Sequence, residues 1–181
     1  SKICLYDLNV HASGGRIVGF KENEILLSIG SYACKALPQN DESIFGKIIS
    51  IDINSKNYSI ISKGHRNPQG LYYNRTDDVI FSTEHGPFGG DEINVIHEPG
   101  KTIENFGWPI SSYGQHYAQT IKRHKARGTL KKMKEIAPFH KSHKKYGFKE
   151  PIKFFVPSIG ISELIKIPIR ENLNSSNHYF V

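Results

Sequence analysis

Two polar motifs lie a short distance apart and carry residue types suited to a charged ligand. The first is Gly64-His65-Arg66-Asn67-Pro68-Gln69-Gly70-Leu71. The Arg66 guanidinium is a permanent cation whose planar fork of donors matches a carboxylate, and the Asn67 and Gln69 amides both donate and accept hydrogen bonds. Proline restricts its own backbone and that of the preceding residue, so these side chains have set directions. The motif indicates a binding site; the alternative is a loop between strands whose amides satisfy backbone groups.

The second motif, Glu84-His85-Gly86-Pro87-Phe88-Gly89-Gly90-Asp91-Glu92-Ile93-Asn94, combines turn-forming residues with an acidic pair. Glycine tolerates positive φ, so the backbone carbonyls of Gly86 and Pro87 can point into a shared space. Carbonyl and carboxylate oxygens suit a hard cation such as calcium, although the spacing of the acids is not that of an EF-hand. The alternative is a glycine-rich hairpin in which Asp91 and Glu92 are simply solvated.

Imidazole and aromatic side chains elsewhere could complete a site. His11 precedes a predicted strand, and an imidazole that titrates near neutral pH can act as a general base. The chain has nine histidines, and a histidine outside any cluster of functional residues is more often structural or solvated. Trp108 and Tyr113 lie in turn-like sequence and could wall a ligand pocket, or form a small core cluster beneath a loop.

The positive charge of the chain is concentrated in one segment. The formal net charge is +7, and residues 122–149 alone contain 11 Lys or Arg and a single acid, Glu135. Such a segment could bind phosphates, and the plainer interpretation is a solvated surface insertion. No nucleic-acid recognition module frames the segment, so a nucleic-acid partner is not expected. No apolar run approaches the roughly 18 residues of a membrane span.

Short runs rich in Ile, Val, Phe and Tyr recur between turn residues, which predicts an all-β fold. The predicted strands are Arg16–Phe20, Glu24–Ile29, Lys47–Ile53, Tyr58–Ser62, Asp78–Ser82, Glu92–His97, Lys153–Pro157, Glu163–Ile167 and Tyr179–Val181. Their rhythm is typical of a sandwich, barrel or propeller, here one domain over residues 1–181. An insertion over 118–149 breaks the rhythm, and Ala118–Ala137 within it could be a basic helix interrupted at Gly128, or a long loop.

The two cysteines, Cys4 and Cys34, are too few for a disulfide framework or for a zinc site of their own. They could pair with each other or stay reduced.

Taken in order along the chain, these motifs resemble those of the soluble quinoprotein sugar dehydrogenases, the glucose/sorbosone or aldose sugar dehydrogenase family. The matching segments are His11 with Gly14-Gly15-Arg16, Gly46-Lys47-Ile48 with Ile51-Asp52, Gly64–Leu71, Ser82–Asn94, Asn105–Pro109 with Ser112-Tyr113-Gly114, and Pro157–Ser162. They cover most of the chain except about residues 118–148.

The resemblance implies a six-bladed β-propeller that carries pyrroloquinoline quinone (PQQ) and calcium at its mouth, in a periplasmic or secreted protein. It implies oxidation of an aldose at C1 to the lactone, with a quinone or another electron acceptor as partner. By length the chain corresponds to about half of such a propeller, roughly three blades with the basic insertion. This stretch alone is not expected to be active.

The resemblance also implies how the cofactors are held. Arg66 and Asn67, with Gln69, would bind the carboxylates and carbonyls of the quinone. The backbone carbonyls of Gly86 and Pro87 would ligate the calcium ion that polarises it.

Four further residues receive roles from the same resemblance. Glu92 would belong to a second, structural calcium site. His11 would accept the proton of the anomeric hydroxyl as hydride leaves C1. Trp108 and Tyr113 would line the substrate pocket.

The chain departs from the family pattern at three places. The spacing from His11 to Arg16 is five residue steps where the family usually has four. Ser31 stands where an aspartate is common, and Phe106 where a tyrosine is usual. A rival interpretation is therefore a non-catalytic propeller that uses the scaffold for binding, and a third is a binder of polyanions through residues 122–149.

Overall fold

The structure, a computed structural model, describes residues 11–167 and the backbone of residues 179 and 180. The described chain is mostly β-structure. The strands are β1 (Gly14–Gly19), β2 (Glu24–Ile29), β3 (Lys47–Asp52), β4 (Tyr58–Lys63), β5 (Pro68–Asn74), β6 (Val79–Glu84), β7 (Asp91–His97), β8 (Glu104–Asn105), β9 (Lys153–Phe155), β10 (Ile165–Lys166) and β11 (Tyr179–Phe180). The helices are α1 (Ala118–Ala126), α2 (Leu130–Ile136) and a short 3-10 helix over Lys144–Tyr146.

The first sheet has the order β1-β2-β3-β4-β8. Strands β1 to β4 form an antiparallel meander, and β8 joins β4 in parallel. Strand β1 carries a β-bulge, because Gly14 pairs with Ile29 while Ile17 pairs with Leu27. Between these pairs β1 therefore contains one residue more than β2, which bends the start of the strand.

The second sheet has the order β5-β6-β7-β9 and is antiparallel throughout. Strand β9 pairs with β7 after the insertion, which therefore lies outside the sheets. β10 and β11 form a separate two-stranded ladder.

The main hydrophobic core lies between the first and second sheets, and each strand from β2 to β7 contributes an apolar side chain to it. Its buried members are Phe20, Leu26, Ile48, Ile61, Leu71, Ile80, Ile96 and Phe106. Burial of each aliphatic side chain contributes on the order of 2 kcal/mol, so this layer holds the two sheets face to face. A second cluster of Ile93, Ile161 and Leu164 covers another part of the second sheet.

The helical insertion follows local backbone rules. Gly128, at φ 64°, adopts the left-handed conformation just past the end of α1, where glycine costs least. Pro138 disfavours helical backbone at Ala137, so α2 ends at Ile136. Ala137 and Phe139 then pack against Trp108, which anchors the insertion to the loop after β8.

The all-β prediction is confirmed, and every predicted strand is present with ends that differ by a few residues; Val181 lies outside the described residues. The helical interpretation of Ala118–Ala137, interrupted at Gly128, is also confirmed. The interpretation of Gly64–Leu71 as a loop is wrong from Pro68 onward, where β5 begins. Proline is tolerated at the first position of a strand, so Pro68 begins β5 and does not interrupt it.

Candidate active site

Residues from well-separated segments line one cavity of about 270 Å³. Among them are His11, Arg66, Asn67, Pro87 and Trp108. They lie in loops that precede β1, join β4 to β5, follow β6 and follow β8. The two stacked sheets bring these loop ends together, and the cavity is therefore the candidate active site.

His11 lines this cavity just before β1. The bulge in β1 lies between Gly14, whose φ is 66°, and Ile17. The Gly14 N–H donates a hydrogen bond to the Asn67 Oδ1 at 3.1 Å. This bond ties the segment that carries His11 to the first polar motif.

Arg66 is held from several directions. Its Nη1 donates to the His85 carbonyl oxygen at 2.7 Å, and its backbone N–H donates to the Glu84 Oε2 at 3.1 Å. Its Cζ lies 5.6 Å from the ring centroid of Trp108, within cation–π range. Burial lowers the pKa of the Arg66 guanidinium, and Tyr117 and Glu84 oppose that shift. Arginine remains protonated in such surroundings, so the cavity has a fixed cation.

The two amides of the first motif differ in position. Asn67 lines the cavity, and its Oδ1 accepts hydrogen bonds from the Gly14 N–H and from the Gln69 Nε2 at 2.9 Å. The Asn67 amide nitrogen is thus the group left to face a ligand. Gln69 does not line the cavity; it contacts Asn67 from behind. The alternative in which the amides satisfy backbone groups is correct for the Asn67 oxygen.

His65 and Glu84 support Arg66 from the interior, which the sequence did not reveal. The His65 Nδ1 lies 3.3 Å from the Glu84 Oε2, and its Nε2 lies 2.8 Å from the Ser62 Oγ. All three side chains are buried. A histidine inside a loop motif gives no local sign of burial, so its partners emerge only from the fold.

Gly86 and Pro87 lie beside Arg66 and Asn67 in a pocket that adjoins the cavity. The Gly86 N–H donates to the Asp91 Oδ1 at 3.0 Å, and proline has no N–H. What these two residues can offer a ligand is therefore carbonyl oxygen, the donor type that calcium prefers. A Cβ on Gly86 would lie 2.0 Å from the Gly90 carbonyl oxygen, so the tight turn requires glycine.

Asp91 connects this turn to the segment before β10. Besides the Gly86 N–H, its carboxylate accepts the N–H groups of Ile159, Gly160 and Ile161 at 3.1, 2.8 and 3.3 Å. Burial alone would raise the pKa of the Asp91 carboxyl, but hydrogen bonds from Ser158 and these backbone groups outweigh it and lower that pKa. The alternative of a solvated Asp91 is wrong, because the side chain is fully buried.

Glu92 is buried as well, so its solvated alternative is also wrong. It pairs across the sheet with Glu84, and its Oε1 lies 3.7 Å from the His143 Nε2. Burial, followed by the charge of Glu84, raises the pKa of Glu92 well above its usual value. Within residues 11–167, no cluster of three or more His, Cys, Asp or Glu side chains could hold a metal ion. The structural calcium site at Glu92 stays a prediction.

Tyr113 does not line the cavity. Its hydroxyl donates to the Glu150 Oε2 at 2.7 Å, and its ring stacks on Phe154 with centroids 3.7 Å apart. Burial and then Glu150 raise the pKa of Tyr113 to about 12. Trp108, in contrast, lies in the cavity wall, and its contact with substrate stays a prediction.

The basic insertion forms part of the cavity, which the sequence did not indicate. Arg123, His124, Met133 and Ile136 all line it. The interpretation of 122–149 as a purely solvated surface segment is therefore wrong. The available signal in the sequence was that His124 and Met133, which are buried, stand among lysines, which are exposed. This signal becomes visible only when the residues are placed on a helix, because the helix determines which side chains share one face.

Two features bear on the surroundings of the protein. Cys34 is disulfide-bonded, and Cys4 lies outside the described residues. Among the helices of residues 11–167, none is long and apolar enough to cross a membrane.

The sequence model of the glucose/sorbosone dehydrogenase family matches residues 7–172. The match covers most of the chain, so the chain belongs to this family of oxidoreductases. A crystal structure of a glucose dehydrogenase superposes with a TM-score of 0.63 at 26% identity, over 83% of this chain and 42% of that chain. The β-propeller prediction is thereby confirmed.

Two curated relatives show the same similarity in sequence. The aldose sugar dehydrogenase YliI of Escherichia coli is 32% identical over 118 residues, which is 58% of this chain and 31% of YliI. The quinoprotein glucose dehydrogenase B of Acinetobacter calcoaceticus is 46% identical over 50 residues, which is 28% of this chain and 9% of that protein. The chain thus spans less than a third of the length of these curated relatives.

Proposed function

We propose that the chain is part of a PQQ- and calcium-dependent aldose dehydrogenase that oxidises its sugar at C1 to the lactone. The observation that carries the proposal is the single cavity lined by His11, Arg66, Asn67, Pro87 and Trp108. A base, a fixed cation, an amide and a carbonyl donor are the groups that such a reaction needs. Relatives named aldose sugar dehydrogenase and quinoprotein glucose dehydrogenase support the substrate and the cofactor.

The donor set of the cavity fits these cofactors. The Arg66 guanidinium and the Asn67 amide nitrogen suit carboxylate and carbonyl oxygens, and Gln69 orients Asn67. Gly86 and Pro87 offer carbonyl oxygens to calcium. When bound, the quinone supplies an acceptor for the hydride that leaves C1, with calcium polarising it.

The chain's own residues then act on the sugar. His11 accepts the proton of the anomeric hydroxyl, because a neutral imidazole is a suitable base near pH 7. Arg66 stabilises negative charge that develops on the acceptor side. Trp108 supplies an apolar wall that excludes water from the site.

Reconstitution of the full-length protein with PQQ and calcium tests the proposal. We expect oxidation of an aldose coupled to a redox dye, dependent on both additions. A full-length protein that folds but neither binds PQQ nor oxidises aldoses would overturn it.

The rival non-catalytic interpretation depends on the shifted spacing of His11, whereas the position of His11 in the cavity wall favours the enzyme. We also propose a periplasmic or secreted location. The disulfide of Cys34 supports it, because disulfides persist in oxidising compartments.

A further inference from the structure

Cationic side chains line the cavity, and no Asp or Glu of the described residues does. Lys35, Arg66 and Arg123 all contribute to the lining. The ion pairs formed within residues 11–167 involve neither Lys35 nor Arg66. A concave surface whose described lining has cations and no carboxylate concentrates positive potential, which attracts an anion.

Two of these cations lie over a shared aromatic surface. The Lys35 Nζ lies 5.3 Å from the ring centroid of Phe139, and the Arg66 Cζ lies 5.6 Å from that of Trp108. The two rings pack with centroids 5.0 Å apart. The aromatic pair therefore holds both charges in the cavity wall, and Phe139 belongs to the insertion.

Among the residues that the structure describes, no carboxylate forms an ion pair with Lys35. Burial, followed by the like charge of Arg66, lowers the pKa of Lys35 to about 8. At neutral pH the Lys35 side chain is therefore protonated in most molecules of the protein. A bound anion near Lys35 would favour its charged form and relieve the repulsion from Arg66.

The imidazoles of the same wall do not share this role. Burial and then Lys35 lower the pKa of His116 to about 4 and lower that of His124. The Nε2 of His116 lies 2.9 Å from the Ala137 carbonyl oxygen, so the neutral imidazole donates a hydrogen bond from this atom. The charge available to a ligand beside Arg66 thus comes from Lys35.

We infer that the substrate is an aldose that carries an anionic group away from C1, a carboxylate or a phosphate, and that Lys35 binds this group. The inference rests on the proposed function, in which Arg66 serves the quinone. Lys35 comes from the loop between β2 and β3, apart from both cofactor motifs. The insertion completes its binding position through Phe139 and Arg123.

The test compares kcat/KM for glucose, glucose 6-phosphate and glucuronate in the full-length protein loaded with PQQ and calcium. We expect at least one charged sugar to exceed glucose by about tenfold, and the two charged sugars distinguish phosphate from carboxylate. Lys35→Gln should bring the ratio of charged to neutral sugar close to one and leave the Kd for PQQ unchanged. Lys122→Gln removes the same charge from an exposed position on α1 outside the cavity, and should preserve the ratio.

Equal kcat/KM for neutral and charged sugars would overturn the inference while leaving the proposed function intact. So would a Lys35→Gln variant that binds PQQ tenfold more weakly, since Lys35 would then serve the quinone. A protein without PQQ binding would overturn the proposed function instead. In that case calorimetry with glucose 6-phosphate, glucuronate and glucose still tests whether Lys35 binds an anionic group. A charged sugar should bind to the protein and should no longer bind to the Lys35→Gln variant. No binding of either charged sugar would overturn the inference.

Discussion

The Nη1 of Arg66 donates a hydrogen bond to the carbonyl oxygen of His85 at 2.7 Å. This bond joins the loop before β5 to the loop after β6, so the two polar motifs of the sequence form one wall. They meet because β5 and β6 are antiparallel neighbours in which Pro68 pairs with Glu84. The cavity therefore depends on a strand pairing that begins at a proline.

Replacing Arg66 by alanine should weaken PQQ binding of the full-length protein by at least about tenfold, because a charged hydrogen-bond donor is lost. Fluorescence titration with PQQ measures the effect. Arg75→Ala is the matched control, since Arg75 is exposed in a turn and lines no part of the cavity. Equal losses of PQQ affinity in the two variants would argue against a cofactor role for Arg66.

Replacing His11 by glutamine should lower kcat by roughly a hundredfold or more, since a general base typically contributes that much. Binding of PQQ should be unchanged, because no cofactor contact is assigned to His11. His97→Gln, an exposed histidine at the end of β7, provides the control. Stopped-flow reduction of the bound quinone by sugar measures the step, and an unimpaired rate would exclude His11 as the base.

Replacing Asp91 by alanine should lower the free energy of unfolding by roughly 3 kcal/mol, since the buried carboxylate is lost and four backbone N–H groups lose their acceptor. Because the folded state lowers the pKa of Asp91, its contribution is present above the ordinary carboxyl pKa and disappears as pH falls through the folded value. Urea unfolding near neutral pH measures the change. Asp41→Ala, at an exposed side chain, should stay within about 0.5 kcal/mol.

Acid should destabilise the protein through His116. Burial chiefly lowers the pKa of His116 from its ordinary value of 6.5 to about 4, so the folded state binds fewer protons than the unfolded state between those two pH values. Stability contributed by neutral His116 is thus complete above that window and is lost as pH falls through it. His116→Gln should reduce the drop in urea midpoint between pH 7 and pH 4.5, and His97→Gln should not. An identical drop in all three proteins would contradict this origin.

Local pattern sufficed for much of the fold. A short apolar run ahead of the turn residues Gly30-Ser31 predicted β2 at its observed bounds, Glu24–Ile29, and the turn residue Gly128 marked the break between α1 and α2. Local pattern failed at β5, because the proline and the two amides at its start are typical of a loop although the backbone there belongs to a sheet. Pairing with β6 decides that strand, and pairing is a non-local property.

The sequence by itself determined which chemical groups the candidate site contains: a cation and an amide at Arg66 and Asn67, carbonyl oxygens at Gly86 and Pro87, and an imidazole at His11. These groups follow from residue type, which is local, and their roles stay predictions. Only the tertiary structure decided that Asp91 and Glu92 are buried, that His11 lies at the cavity, and that Lys35 and the basic insertion line it. Burial and proximity arise from packing between distant segments, so no spacing along the chain could express them.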